Sequence, residues 1–264
     1  MTFLQLLIIA IVQGVTEFLP ISSSGHLILI PFITEMPDQG PLIDVAVHIG
    51  SLLAIILFFW REVIGLARGG FATVGIGQAP EQKRLLWWIA IGTVPAILVG
   101  LFLKTGGYLE SFRSTTLVGI NLIVYGILLG IADRVGAATK RYEDMSLKDA
   151  IIVGLAQALA LIPGTSRSGV TMTAARFLGY ERVEAARFSF LLSIPAVAGA
   201  GTLAVLDLAE ATAAMQWDAF VAGALTFVAA FATMAFLMRF LRHASMLVFV
   251  VYRVALGAAL LAFF

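Results

Sequence analysis

Residues 13–30 read QGVTEFLPISSSGHLILI. The run sets Gln13, Glu17, Ser22, Ser23, Ser24 and His26 into an otherwise apolar chain, with Pro20 and Gly25 among them. An ionisable side chain at membrane depth costs at least ~2.5–3.5 kcal/mol on insertion scales, so such residues are read first as functional. Pro20 and Gly25 deny the stretch a continuous helix. Irregular backbone in lipid is tolerated only where protein or a wet cavity satisfies its amides. The stretch therefore reads as a site.

The rest of the chain supplies the membrane. Of 264 residues, 60% are hydrophobic and 12% charged, with a mean hydropathy of +0.99. A soluble domain carries about a quarter charged residues, so the composition is that of an all-α polytopic membrane protein. A net charge of +1 and the lack of a basic tail give no reason to expect nucleic acid. Without a cysteine there is no disulfide framework, thiolate metal site or cysteine nucleophile. No positive n-region or small-residue cleavage site precedes the polar run, so the N-terminal segment is expected to be retained.

Residues 3–18 predict a helix too short for a ~30 Å hydrocarbon core, and a second short helix follows over 24–33. Two short helices about a polar break read as a re-entrant hairpin over 3–33; the alternative is one transmembrane helix kinked at Pro20. The loop 34–44 carries Glu35, Asp38 and Asp44 without a Lys or Arg. Apolar runs at 45–60, 86–103 and 115–132 have near spanning length, and 133–149 is the most polar segment. Beyond it the pattern returns: Gln13, Ser22, Ser23, Ser24 and Gly25 align with Gln157, Ser166, Arg167, Ser168 and Gly169. Pro20 and Pro163 each precede a break, and Val124-Tyr125 resembles Val251-Tyr252. Apolar runs at 188–206, 219–238 and 245–264 complete the second set.

The expected architecture is six transmembrane helices plus two re-entrant helical hairpins. Residues 1–132 form the first repeat, 133–149 a cytoplasmic linker and 150–264 the second repeat. Three crossings per half invert one repeat against the other, which brings the two breaks together near the midplane. The positive-inside rule agrees. One face collects most of the basic residues, from Arg61 and Arg68 through Lys140, Arg141, Arg176 and Arg182 to Arg239 and Arg242. The other receives only Lys104 and Arg113, while Arg167 and Arg253 stay inside. Both termini and the first hairpin then face outward.

The second break reads PGTSRSGVT over 163–171. Arg167 keeps its charge, and its planar fork suits phosphate oxygens. Ser166, Ser168 and Thr171 offer hydroxyls, Gly164 and Gly169 admit backbone amides to an anion, and Ser166 is placed to cap a helix whose N-terminus favours phosphate. The competing reading pairs Arg167 with Glu17 as a buried structural ion pair, and the two are compatible. In the first break Gln13 and Glu17 share a helix face. Ser22 and Ser23 stand one turn before His26, the minimum for an activated hydroxyl, although capping serines and a carbonyl-bound His26 give the same pattern. Glu17 at the same depth favours phosphate chemistry, as an orienting group, a base or a cation ligand. His48 borders either the cavity or a helix face, His243 reads as solvated, and the four tryptophans as interfacial anchors.

With these residues in view, the whole chain resembles the undecaprenyl-diphosphate phosphatases associated with bacitracin resistance. The resemblance rests on (E/Q)GxTEFLPxSSxGH at 13–26 and PGxSRSGxT at 163–171. It implies removal of the terminal phosphate of undecaprenyl diphosphate, which regenerates the monophosphate carrier lipid for cell-wall assembly. It further implies Glu17 as an essential acid, Ser23 as nucleophile, His26 as its acid/base partner and Arg167 as diphosphate clamp. Gln13, Ser22, Ser166, Ser168 and Thr171 are the supporting, substrate-binding set. A divalent cation (Mg²⁺ or Ca²⁺) is implied, with Glu17 as its ligand; Gln13 stands where some members carry a second Glu, which weakens a two-carboxylate metal site. The implied setting is the bacterial plasma (inner) membrane, with the pocket opening outward. The partners are the polyprenyl diphosphate lipid and the bilayer, with a homodimer left open. The rival from another class is a lipid-phosphate flippase, because inverted repeats with broken helices are frequent in transporters.

Overall fold

The structure, a computed structural model, describes residues 1–34, 39–108, 112 and 114–263, with side chains undescribed at 28, 30–34 and 200–210. Glu35, Asp38 and Arg113, which carried part of the charge argument, lie outside the described residues. Among the described residues there are eleven α-helices and no strand.

Helix α1 (Phe3–Thr16) opens on a capping box, in which Gln5 N–H donates to Thr2 Oγ1 and Thr2 N–H to Gln5 Oε1. It stops ahead of Pro20, and α2 (Ser23–Thr34) begins after five turn residues and Ser22. Fourteen and twelve residues correspond to about 21 and 18 Å of helix, too short for either to span alone. The same holds for α7 (Leu147–Leu159), capped by Ser146, and α8 (Arg167–Phe177), capped by Ser166.

Among the described residues, four helices are long and apolar enough to cross a membrane: α3 (Pro41–Phe58), α5 (Pro80–Thr105), α6 (Thr115–Val135) and α10 (Ala213–Phe240). Helix α9 (Arg182–Glu210) is longer still, and α11 (Leu247–Phe263) is a shorter apolar helix. Pro41 and Pro80 stand in the first turns of α3 and α5, where a missing N–H costs nothing.

Between α3 and α5 the polar segment 61–84 largely folds as α4 (Trp60–Thr73), an element that its glycines had masked. Its one-sided pattern exposes Trp60, Ile64 and Phe71, as an interfacial helix does. Trp60, Trp87 and Trp217 expose their rings, whereas Trp88 turns inward to donate to the Met145 carbonyl at 2.8 Å.

The packing crosses the halves. Helix α1 lies against α10 and α7 against α5; α3 packs on α9 and on α10, and α6 on α11. Phe18, beside the first break, packs edge-on against Phe190 of α9 with centroids 5.4 Å apart. Arg176, grouped by its sequence position with the solvated basic face, is in fact buried. It pairs with Asp133 at 3.4 Å and donates to the Tyr180, Asp133 and Gly136 carbonyls.

Two crossings need glycine for want of space. A Cβ on Gly50 would run into the Gly223 carbonyl of α10, and one on Gly154 into Gly92 of α5. Gly50→Ala should therefore lower the thermal midpoint in detergent by an overpacking cost of about 1–3 kcal/mol. At Gly70 the nearest atom to an added Cβ lies 3.8 Å away. There the same change should leave the midpoint unchanged or raise it, since Ala favours helix by ~1 kcal/mol.

Candidate functional site between the two helix breaks

Each break turns on a serine in the left-handed region: Ser22 at φ 78° and Ser166 at φ 71°. That conformation costs a non-glycine residue energy and persists only where surrounding contacts enforce it. Both serines do the same work. Ser22 Oγ accepts from Gly25 N–H at 3.3 Å and Ser166 Oγ from Gly169 N–H at 3.1 Å, closing the first turn of α2 and α8. Each hydroxyl also lies against the one two residues on, Ser24 at 3.3 Å and Ser168 at 3.2 Å.

The next residue of each copy is thereby turned toward a common centre. Ser23 Oγ donates to Glu17 Oε2 at 2.7 Å, and Arg167 Nη2 donates to Glu17 Oε1 at 2.9 Å. Gln13 Nε2 completes the carboxylate's shell at 3.1 Å, while Gln13 Oε1 is buried without a partner. Glu17, Ser23, Gln13 and Arg167 thus form one cluster across two segments 150 residues apart. The Glu17–Arg167 pair is largely buried, with side-chain exposures of 7% and 14%. Removing either partner would strand a charge in a low-dielectric interior.

Arg167 spends one further N–H on the Ser189 carbonyl at 3.3 Å. A guanidinium has five N–H donors, so the fork retains capacity for an anion. Ser168 Oγ ties the two breaks by donating to the Leu19 carbonyl at 3.0 Å. Thr171 is buried on the reverse side, against the Arg167 carbonyl and the Ser189 hydroxyl at 2.7 and 2.6 Å, where it steadies the first turn of α8.

No hydrogen bond joins Ser23 to His26. His26 Nδ1 is 2.7 Å from the Ser22 carbonyl, one turn back on its own helix, and Nε2 is 2.6 Å from Tyr252 Oη of α11. The Ser23 hydroxyl, which the family resemblance pairs with His26, is held by Glu17, and His26 is carbonyl-bound as the alternative reading of the spacing has it. His48 turns its Nδ1 to the Asp44 carbonyl at 2.6 Å and lies within electrostatic reach of Glu17. His243 is exposed.

The residue that sequence reasoning left without a role is Arg253. It is fully buried in α11, and among the described residues no acidic side chain is bonded to it. Its guanidinium donates to the Pro20 carbonyl in the first break, to the Gly164 and Thr165 carbonyls in the second, and to Asn121 and Leu122 of α6, all between 2.9 and 3.3 Å. An arginine that stays inside a membrane protein was itself the available signal. Two motif glycines serve this bridge. Gly164 takes φ 85°, and a Cβ there would meet the Val118 carbonyl at 2.6 Å; a Cβ on Gly169 would come within 2.7 Å of Arg253 Nη1.

The donor set does not fit a divalent cation held by protein alone. Glu17 is the one carboxylate in the cluster; its oxygens already accept three hydrogen bonds, one from a guanidinium. No group of three His, Cys, Asp or Glu side chains that could hold a metal ion occurs among the described residues. Cations of this kind need several oxygen ligands.

The model of the family described as bacitracin resistance protein BacA matches residues 6–259. A protein of Erythrobacter litoralis named undecaprenyl-diphosphatase is 65% identical, with both chains covered in full. Proteins of the same name from Roseobacter denitrificans and Ruegeria pomeroyi are each 47% identical, over 99% or more of this chain and 98% or more of theirs. The chain belongs to the BacA family.

Arg253→Lys should expose what the bridge contributes. An ammonium has three donors and no fork, so buried carbonyls of both breaks would lose partners. The expected result is a stability lowered by about 2–4 kcal/mol, read as a lower thermal midpoint, together with loss of activity. A variant that melts with the wild type would show that these bonds contribute nothing.

Proposed function

We propose that the chain is an integral membrane phosphatase that hydrolyses undecaprenyl diphosphate to undecaprenyl phosphate and inorganic phosphate. The observation that carries this reading is the Glu17 carboxylate holding the Ser23 hydroxyl on one oxygen and the Arg167 guanidinium on the other. A nucleophile, its base and an anion clamp are the parts that phosphoryl transfer needs, and the relatives' shared name gives the substrate.

The apolar tail stays in lipid while the diphosphate enters between the breaks. Arg167 and the N–H groups opening α8 receive the terminal phosphate. Ser23 Oγ attacks the terminal phosphorus as its proton passes to Glu17 Oε2; the Oγ–P bond forms and the bond to the bridging oxygen breaks. Undecaprenyl phosphate leaves, takes up that proton, and is steadied by a hydrogen bond from His26 Nε2. Glu17 then takes a proton from water, whose oxygen attacks the phosphoserine, and returns it to Ser23 Oγ as phosphate departs. Gln13 orients Glu17, and Ser22, Ser166, Ser168 and Thr171 hold the two turns in shape. No step is routed through a metal ion.

The architecture we infer has six spans and two opposed re-entrant hairpins, in repeats 1–132 and 150–264 about the linker 133–149. The matched serine turns, their matched caps and the reciprocal packing of α1 on α10 and α7 on α5 support it. With the linker cytoplasmic, the protein lies in the bacterial inner membrane, its pocket opens outward, and its product is the recycled carrier lipid whose supply underlies bacitracin resistance.

Purified protein should release phosphate from undecaprenyl diphosphate. Ser23→Ala should lose several orders of magnitude in single-turnover rate, and labelled phosphate should appear on the wild-type protein. A Ser23→Ala variant that keeps most of its rate, with no phosphoprotein, makes water the nucleophile. Arg167→Lys should fail nearly as badly as Arg167→Ala, because a point charge does not replace the fork. Lipid movement across vesicles without phosphate release would favour the flippase. For the architecture, cysteines placed singly at Ala137 and Ala213, both exposed in a chain without native cysteine, should label from opposite sides. Labelling from one side would refute the inversion.

A further inference from the structure

We propose that Tyr252 is a positioning residue for His26, holding the imidazole through its Nε2 so that this nitrogen is aimed at the leaving lipid phosphate; this rests on the phosphatase reading above. The geometry starts from the Ser22 carbonyl, which accepts both the His26 backbone N–H at 3.3 Å and, at 2.7 Å, its Nδ1. A carbonyl only accepts, so Nδ1 carries a proton whether the ring is neutral or charged. Nε2 is then the one nitrogen whose protonation can change, and its partner is Tyr252 Oη at 2.6 Å.

A phenol hydroxyl suits this place, because it donates to a bare Nε2 and accepts from a protonated one. The contact survives either state, so the ring need not turn as it gains or loses a proton. The two rings are also nearly parallel, at 6° with centroids 5.6 Å apart, which restricts rotation about the imidazole's side-chain bonds. Which nitrogen of a histidine is active is set by the hydrogen bond that the other makes, and here both are assigned.

The tyrosine is itself well anchored. Its neighbour Arg253 holds five backbone carbonyls, which fixes the rotation of α11 and hence the direction in which residue 252 projects. The pairing also joins α2 of the first half to the last helix of the chain. With Nδ1 tied down, an oxygen of the lipid phosphate reaches the Nε2 proton beside the Tyr252 hydroxyl, which keeps the ring aimed at it. Tyr252 marks where that oxygen arrives.

Tyr252→Phe removes the hydroxyl and keeps the ring. In full-length purified protein it should lower kcat about tenfold, the worth of one hydrogen bond, with KM within about twofold and an unchanged thermal midpoint. In a His26→Gln background the same change should have no further effect, since a residue acting through His26 has nothing left to position. An unchanged kcat, or an equal loss in both backgrounds, would overturn the proposal. A second measurement is independent of turnover: in ¹⁵N-histidine-labelled protein, Tyr252→Phe should shift the His26 Nε2 resonance and leave Nδ1 in place. If Nε2 does not move, the positioning role fails. If the wild type releases no phosphate while Nε2 does shift, the phosphatase reading fails and the contact stands.

Discussion

A buried guanidinium bonded, among the described residues, to backbone carbonyls alone ties the two helix breaks together. Interrupting two helices inside a membrane leaves carbonyls that lipid cannot satisfy, at Pro20 in one break and at Gly164 and Thr165 in the other. Arg253 satisfies all three and adds two from α6. Burying a lone charge is unfavourable unless polar groups surround it. Here the cation and the orphaned carbonyls solve each other's problem, and neither arrangement would be stable alone. The nearby sequence follows from that constraint. Gly169 must lack a Cβ where Arg253 passes, and Gly164 must take a conformation open to glycine against α6.

Arg167, the other intramembrane arginine, has the opposite design. It faces a carboxylate, donates to a single carbonyl, that of Ser189, and keeps some exposure. A charge pair can open to admit an anion, whereas five carbonyl bonds cannot be exchanged for one. One arginine is therefore suited to structure and the other to substrate, though both carry the same charge at similar burial. Fixed breaks and a displaceable pair between them provide the preorganisation that transition-state stabilisation requires.

Much of this was legible in the residues, and the remainder was hidden for identifiable reasons. Composition and run length establish an all-helical membrane chain, and the aligned serines locate both breaks. Ser166 caps α8 as its position suggests. Spacing did not reveal how Ser23 and His26 divide their partners. A histidine four residues after a carbonyl on a helix finds that carbonyl at no entropic cost, and here it does. The partner of Ser23 lies six residues back across the turn, beyond the reach of any periodic rule. Tyr252 is 226 residues from His26, and its only trace in the sequence was likeness to Tyr125. Arg176 groups with the basic face by its place in the chain, whereas Asp133 and three carbonyls draw it inward. Helix α4 was obscured by glycines that its partners require; a Cβ on Gly69 would meet the Gln82 backbone at 2.6 Å.

The two breaks share a backbone but not a chemistry, and electrostatics explains why. Where two like segments meet face to face, a shared sequence would set each side chain opposite its own copy. Two carboxylates at hydrogen-bond separation cannot both ionise, and two unscreened guanidiniums repel in the same way. A site at such a junction works only if the copies diverge at the residues that face each other. The copies differ at these residues among others: Glu17 answers to Leu161, Ser23 to Arg167 and His26 to Val170, while Ser22, Ser24 and Gly25 recur as Ser166, Ser168 and Gly169. On the proposed mechanism the base and the nucleophile fall to the first break and the anion clamp to the second. The carboxylate meets a guanidinium instead of a second carboxylate, so the two breaks together would make one complete site.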